Sequence, residues 1–323
     1  MWLGWPFDAQ EDMSLTQKFI APSLTLGAIL LSAGCSTPSS GHELAPIPIS
    51  NGATKKTAPM ERVSDRKGNT MGTVFVAEYH QFKAGRGEMF RTPKQFRNDL
   101  ETFYKAGFRP VLASEFLANK MPLPPGASPV VMTFDDSSPT QLQLKPDGTV
   151  DPNCAVGIWQ AFAKEHPDFP VHGTFFVLPD NLWSNRKNDP RKIKLIFELG
   201  SEIANHTIHH PQLKRLSDEK VKWELGTANE KLEALGQKMP VSMALPFGIS
   251  PKNKALLKGF DWNGGHTAFT GVFLSGAEPA KSPNNPKFNS LRVPRILATT
   301  VPFGLDYWFK ELKAGRVKPY VQP

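Results

Sequence analysis

The sequence predicts a parallel α/β fold, and three observations carry the prediction. Residues 130–134 (VVMTF) are apolar, β-branched or aromatic without a break, the composition of a strand buried on both faces. Runs of this kind alternate along the chain with amphipathic helical patterns, which implies parallel strands joined by helices. The 130–134 strand then runs straight into Asp135 and Asp136, and the carboxyl ends of such strands are where α/β barrels and open sheets place chemistry. A buried strand ending in two carboxylates is costly unless a metal or hydrogen bonds satisfy them. Adjacent strand side chains point to opposite sides, so both acids can serve one site only if the chain curls as it leaves the strand. Ser137-Ser138-Pro139 is the expected place for that curl.

The elements follow in order. Residues 73–80 (TVFVAEYH) have a strand pattern. Thr92 is a helix cap, with Pro93 at the first helical position and Gln95 three residues after the cap. Phe96, Leu100, Phe103 and Tyr104 line one face of that helix, and Gly107 ends it. A strand is expected at 110–113, then the one ending in the acid pair. The polar stretch that follows carries a Pro146-Asp147-Gly148 turn and reads as a small hairpin insertion. A helix over 155–164, a strand over 173–178 and a helix over 191–198 come next, and residues 201–206 bring the chain to His206. Over 217–235 Ser217 caps a helix with Asp218 and Glu219 in its first turn, Val221, Leu225, Ala228, Leu232 and Leu235 on one side, and Gly236 after it. Residues 241–248 are a strand entering a turn, and further strands are expected at 268–274 and 291–297. No repeat of solenoid period is present.

The chain has 323 residues, enough for one large or two small domains, and its 21% charged and 40% hydrophobic residues describe a mostly globular protein. Thirty prolines imply many loops. A net charge of +8 suits an anionic neighbourhood such as a cell envelope or lipid surface. It would also suit nucleic acid, but no dense Lys/Arg run, zinc-finger spacing or aromatic-basic repeat is present, so no nucleic-acid partner is expected and the charge reads as a basic solvated surface. Two cysteines, Cys35 and Cys154, imply no disulfide framework, and Cys154 is expected to be packed and inert.

Residues 1–35 read as a signal segment. Lys18 precedes a mostly apolar stretch, 19–31, that is too short and too broken by Pro22 to span a membrane, and small residues lead to Cys35. This resembles a bacterial lipoprotein signal, whose cysteine becomes the lipidated first residue, with Ser32 standing where leucine is usual. Residues 1–12 are acidic and unlike a signal start, which makes Met13 a second candidate initiator. Ser36 after the cysteine implies, by the same resemblance, a membrane anchor on the periplasmic side of the outer membrane. Residues 36–70, rich in Ser, Pro, Gly, Thr and Lys, read as a flexible linker, and 71–323 as the ordered domain.

Asn205–His210 (NHTIHH) holds three histidines. His206 and His210 are four apart, a spacing that lets two imidazoles converge on one ion if the turn is helix-like. Zinc takes neutral imidazole and carboxylate together, and two His plus one Asp leave a position open for water. The alternative is an ordinary cluster of surface histidines beside Pro211.

The order TFDD at 133–136, HTIHH at 206–210 and LPFG at 245–248 resembles the polysaccharide deacetylases, carbohydrate esterase family 4. GTFFV at 173–177 and EYH at 78–80 resemble further family segments. The resemblance implies a distorted (β/α) barrel of about seven parallel strands. It also implies a metal-dependent hydrolase of carbon–nitrogen bonds that removes N-acetyl groups from an envelope or extracellular polysaccharide. Residue by residue it makes Asp135 the general base, Asp136, His206 and His210 the ligands of a divalent metal, most simply Zn2+, and the backbone N–H of Phe247 an oxyanion donor. His209 is the rival ligand within the motif.

The chain departs from the family where the general acid is usually found. No late Leu-x-His motif is present, and His266 is the only histidine after Gly248. General acid, substrate contact and loop histidine are the three readings of His266. Ala244 stands where many members have an arginine that orients the base, and Arg295 is the candidate replacement. Ser137 takes the place of a frequent glycine. His80, at a strand end, reads as facing the site or capping the barrel base, with the structural role preferred, and Trp183 and Trp262 as sugar-stacking candidates or packing residues. The second reading of the whole is a lipid-anchored glycan-binding or assembly module that kept the barrel and lost turnover.

Overall fold

The computed structural model describes residues 62–85, 87–183 and 190–323. The signal segment, Cys35 and the linker through residue 61 lie outside the described residues. Seven strands form the barrel: β1 (Thr73–Tyr79), β3 (Ser128–Phe134), β4 (Thr174–Val177), β5 (Glu202–Asn205), β6 (Val241–Ala244), β8 (Gly265–Ala277) and β10 (Val293–Leu297). They pair in parallel as β1–β3–β4–β5–β6–β8–β10, and β10 returns to β1, so the ring closes. Closure removes the exposed edges an open sheet would leave. Short β2 (Phe108–Val111) pairs with the first half of β3, while antiparallel β7 (Gly259–Trp262) and β9 (Ala280–Lys281) border β8 and β1.

Strand alternation sorts the side chains into two layers. Facing outward, Phe75, Ala77, Tyr79, Val130, Met132, Phe134, Phe175 and Ile203 pack under α1 (Pro93–Lys105), α3 (Ala155–Glu165) and α4 (Pro190–Glu198). Facing inward, Val74, Val76, Val131, Phe176, Ala204, Ala244, Phe273 and Val293 fill the lower barrel, which Ala113 and Phe116 of α2 (Ala113–Leu117) help to close. All seven residues of β3 are buried, as its composition predicts. Continuing the inward rows toward the carboxyl end leads to Glu78 and His80 after Val76, to Thr133 and Asp135 after Val131, and to Arg295 after Val293. The register Glu78↔Thr133 sets the first two rows side by side.

Local signals hold where they are self-contained. Thr92 and Gln95 form the expected capping box on α1, and Ser217 caps α5 (Asp218–Ala234). The 144–150 insertion is a small hairpin with a Leu144↔Val150 bridge. Three expectations need revision. The strand expected at 110–113 ends at Val111, because Ala113 already opens α2. The strand expected from 268 starts at Gly265, because Asn263 and Gly264, at φ of 45° and 80°, make the two-residue turn of a β7–β8 hairpin. Residues 62–70, read as linker, already pack on the domain: Val63 N–H donates to Pro125 O, and Arg66 reaches the carbonyls of Gly107 and Gly126. The reading also passed over α6 (Leu305–Lys313).

Candidate active site

Asp135 sits one residue beyond β3, and its N–H still continues the ladder by donating to Tyr79 O at 2.9 Å. The curl comes at once: Asp136 and Ser137 have φ of 70° and 52°, in the left-handed region. Asp136 thus swings back to the same end of the barrel as Asp135, the curl beginning one residue before the expected Ser137-Ser138-Pro139 stretch and including Ser137. Ser137 is buried, and its Oγ accepts from Leu178 N–H of the neighbouring strand's exit at 2.9 Å.

The histidine motif is a loop, not a helical turn. Thr207 and His210 have φ of 69° and 55°. Asn205 Oδ1 accepts from Thr207 N–H, Thr207 Oγ1 accepts from His210 N–H, and buried Glu224 of α5 accepts from the N–H groups of Ile208 and His209. These bonds bring His206 and His210 together without a helix. His206 Nδ1–H donates to Ala244 O at 2.9 Å, which leaves Nε2 with its lone pair facing the acids.

Asp136 Oδ1 stands 3.3 Å from His206 Nε2 and 3.4 Å from His210 Nε2. The three ligand atoms lie within 4.8 Å of one another. Asp136 Oδ1 and His206 Nε2 are buried, yet neither has a hydrogen-bond partner among the described residues. Two buried polar atoms facing each other in this state fit a cation between them, since an uncompensated pair is costly. Their spacing also fits: ligand atoms at the usual zinc distance in a tetrahedral arrangement stand about 3.3–3.4 Å apart. Burial raises the Asp136 carboxyl, but the neighbouring imidazoles, that of His206 first, outweigh it and hold the group well below the usual carboxylate range. The residues present fit a divalent metal.

Asp135 belongs to a second cluster. Arg295, fully buried, donates Nη1–H to Asp135 Oδ1 at 2.8 Å and Nη2–H to Oδ2 at 2.7 Å. The same Nη2 is 3.1 Å from Glu78 Oε1, and Nε–H donates to Leu274 O. Burial raises the Asp135 carboxyl, and the Arg295 charge, then that of His206, overcome it, so Asp135 is held ionised. The arginine arrives from β10, and Ala244 lies on β6, with β8 between the two strands. His80 joins this cluster: it is buried, its Nε2 is 3.7 Å from Glu78 Oε1, and Glu78, His80 and Asp135 offer polar atoms within 4.8 Å of one another.

Phe247 follows β6 in a 3-10 turn at φ 58°, its ring 4.6 Å from that of His210 and 57% exposed. His209 turns outward, pairs with Glu224 and lies flat on Trp223, which removes it as a rival ligand. His266 requires correction. It occupies the start of β8, in register with Asp261 of β7, exposed and paired with the Asp261 carboxylate, at the end of the barrel opposite the acids. It cannot donate a proton at this site. Trp183 is buried in the outer core, and Cys154 is buried as the cap of α3, its thiol pushed up by burial. His80, weighed from the sequence as facing the site or capping the barrel base with the structural role preferred, lies beside Glu78 and Asp135. The available signal was its spacing: Glu78 and His80 are two apart on a strand, hence on one face.

Residues 123–259 match the polysaccharide deacetylase family model. The comparisons support a polysaccharide deacetylase domain over that segment, which contains Asp135, Asp136, His206, His210 and Phe247, while His80 and Arg295 fall outside it. A chitooligosaccharide deacetylase from a Bradyrhizobium species is 30% identical over 125 residues, 38% of this chain and 48% of the relative, so the chain spans about half of that protein's length. A polysaccharide deacetylase from Bacillus cereus superposes with a TM-score of 0.56 at 18% identity, over 75% of this chain and 69% of that one. A Streptococcus pyogenes deacetylase, solved with acetate, gives 0.55 at 16% identity over 78% and 100%. At these identities the structural matches establish the shared (β/α) barrel.

Proposed function

We propose that this chain is a metal-dependent deacetylase that hydrolyses N-acetyl groups of an envelope or extracellular polysaccharide. The observation that carries the proposal is the buried, unpartnered Asp136–His206 pair standing beside a carboxylate that Arg295 keeps ionised. The polysaccharide deacetylases named above agree with it in kind.

Asp136, His206 and His210 would hold the metal, with Zn2+ the best match to one carboxylate and two imidazoles. When bound there, such an ion supplies Lewis acidity toward a water and an acetamide carbonyl. Asp135 accepts the proton of the attacking water. Arg295 fixes both oxygens of that acid, so its basic face stays aimed at the site and its charge is balanced before the proton arrives. The backbone N–H of Phe247, at the rim beside His210, would donate to the carbonyl oxygen as charge develops on it. The departing nitrogen needs a proton to leave as an amine, and His80, the buried imidazole beside Asp135, takes the role expected of His266. With His80 in that role, the missing Leu-x-His motif no longer favours a binding-only module.

The anchor is a proposal from sequence: lipid on Cys35 would hold the domain at the cell envelope, on the periplasmic face of the outer membrane. Replacing Cys35 with Ala is expected to move the protein from the detergent to the aqueous phase in phase partitioning. The deacetylase reading is tested by acetate release from acetylated chitooligosaccharides, peptidoglycan and poly-N-acetylglucosamine. Release from at least one, abolished by chelator and restored by Zn2+, is expected. No release from any acetylated glycan overturns it.

A further inference from the structure

The amino end of the barrel carries a second cavity that the proposed chemistry does not use. It has a volume of about 460 Å3, lies between α5 and the β7–β8 hairpin, and is bordered by Met239 and Pro240 just before β6. The Asp136–His206–His210 group stands at the opposite, carboxyl end of the strands, so the two are separate sites.

Two residues that line this cavity carry hydrogen-bond donors with no acceptor among the described residues. Asn229 is 4% exposed; its Oδ1 accepts from Asn205 Nδ2 at 2.7 Å, and its Nδ2 is buried without a partner. The network fixes which end of this amide is which: Asn205 Oδ1 already accepts from Thr207 N–H, so its Nδ2 must donate to Asn229. Trp262 Nε1 is likewise buried without a partner. The indole is seated deliberately. It lies against Gly226 in the middle of α5, where a Cβ would come within 2.6 Å of the ring. A mid-helix glycine costs roughly 0.5–1 kcal/mol relative to alanine, so the helix gives up stability to admit this ring.

The walls have the opposite character. Glu230 and Glu233, both exposed, are the acids, and no Lys or Arg lines the cavity, in a chain whose net charge is +8. Asn263 holds Glu230 in place through Nδ2–H to Oε1 at 2.6 Å. A ligand matching this lining presents acceptor oxygens and a flat apolar face to the floor and a cation to the rim. A hexosamine with a free ammonium group has all three: ring hydroxyl oxygens, a C–H face that stacks on indole, and the amine. The volume falls within the range of ligand pockets and admits one or two sugar rings.

We propose that this cavity is a binding site for de-N-acetylated glycan, recognising the free amine through Glu230 and Glu233 and the sugar ring through Trp262 and Asn229. The choice of sugar as ligand rests on the deacetylase reading; the donor floor and acidic rim do not. Such a site would hold product polymer on the enzyme while the other end of the barrel works on acetylated units.

The test separates binding from turnover. Titration calorimetry with a fully de-N-acetylated glucosamine hexamer, which has no acetyl group to lose, is expected to show binding to the native chain. Glu230→Gln with Glu233→Gln is expected to weaken it by about tenfold or more, with acetate release from an N-acetylated pentamer within about twofold of native. Thr267→Lys, which sets a cation into the cavity from β8, is expected to do the same and guards against a helix defect in the double variant. The inference is overturned if the hexamer does not bind, if both variants bind it as native does, or if binding and acetate release fall together. Loss of acetate release in the native protein would instead count against the deacetylase reading and leave the hexamer titration standing.

Discussion

Two groups of side chains at the carboxyl end of the barrel have the composition of a metal site, and they differ in one respect. In Asp136–His206–His210, polar atoms face each other at 3.3–3.4 Å and two of them have no hydrogen-bond partner. In Glu78–His80–Asp135, a guanidinium already lies among the carboxylates and bonds both oxygens of Asp135. The first group has room for a cation and the second contains one, made of protein. Composition alone ranks them together; hydrogen-bond satisfaction tells them apart. On the proposed function, the two adjacent acids then have different work, one to hold an ion and its neighbour to remain a free base.

The comparison breaks most visibly at the first group. Asp136→Ala, His206→Ala or His210→Ala is expected to reduce bound metal from about one equivalent to near zero and to lower acetate release on the order of 10³-fold or more. Elemental analysis showing a full equivalent in all three variants would dissolve the distinction between the clusters. Asp135→Asn is expected to lower acetate release by roughly 10²–10⁴-fold while metal content stays at the native level, since general-base catalysis has about that worth. Metal loss in that variant would place Asp135 in the wrong cluster. His80→Asn is expected to cost about 10²-fold on the acetamide and much less on an activated aryl acetate, whose leaving group departs without a proton; equal losses on both substrates would remove His80 as the donor.

Stability measurements sharpen the second group. Arg295→Met leaves Glu78 and Asp135 buried without their counter-charge, and a loss of about 3–5 kcal/mol in denaturant unfolding is expected. A loss under about 1 kcal/mol would mean that the guanidinium is dispensable. The smallest effect concerns pH. Because Arg295 holds the Asp135 carboxyl below its unfolded value, the ion pair contributes fully above the unfolded value, about pH 4, and its contribution falls as pH drops below that. In chelator-treated protein, unfolding midpoints below pH 4 should therefore fall more steeply in the native chain than in Arg295→Met. Parallel profiles would remove the ion pair as the cause.

His266 and His80 show where reading residues in order goes astray. His266 drew attention because it lies late in the chain, where the family's proton donor is expected, but the Asn263–Gly264 hairpin carries it to the far end of β8. His80 drew little, because a histidine closing the first strand has no local feature that marks it. Arg295 was reachable as one of two arginines, with Arg292, in the expected 291–297 strand, yet nothing in 293–297 states that β10 pairs with β1.

What the sequence determined by itself was local. The alternating strands and helices, the caps at Thr92 and Ser217, the buried strand running into two acids and the paired histidines all depend on hydrogen bonds and side-chain periods within a few residues. The tertiary structure decided which of these meet. Closing the ring through β1 and β10 brings residues 78, 80, 135 and 295 into one interior. Left-handed turns at Asp136, Thr207 and His210 aim the rest. Both depend on contacts between residues far apart in the chain, where period and propensity carry no information.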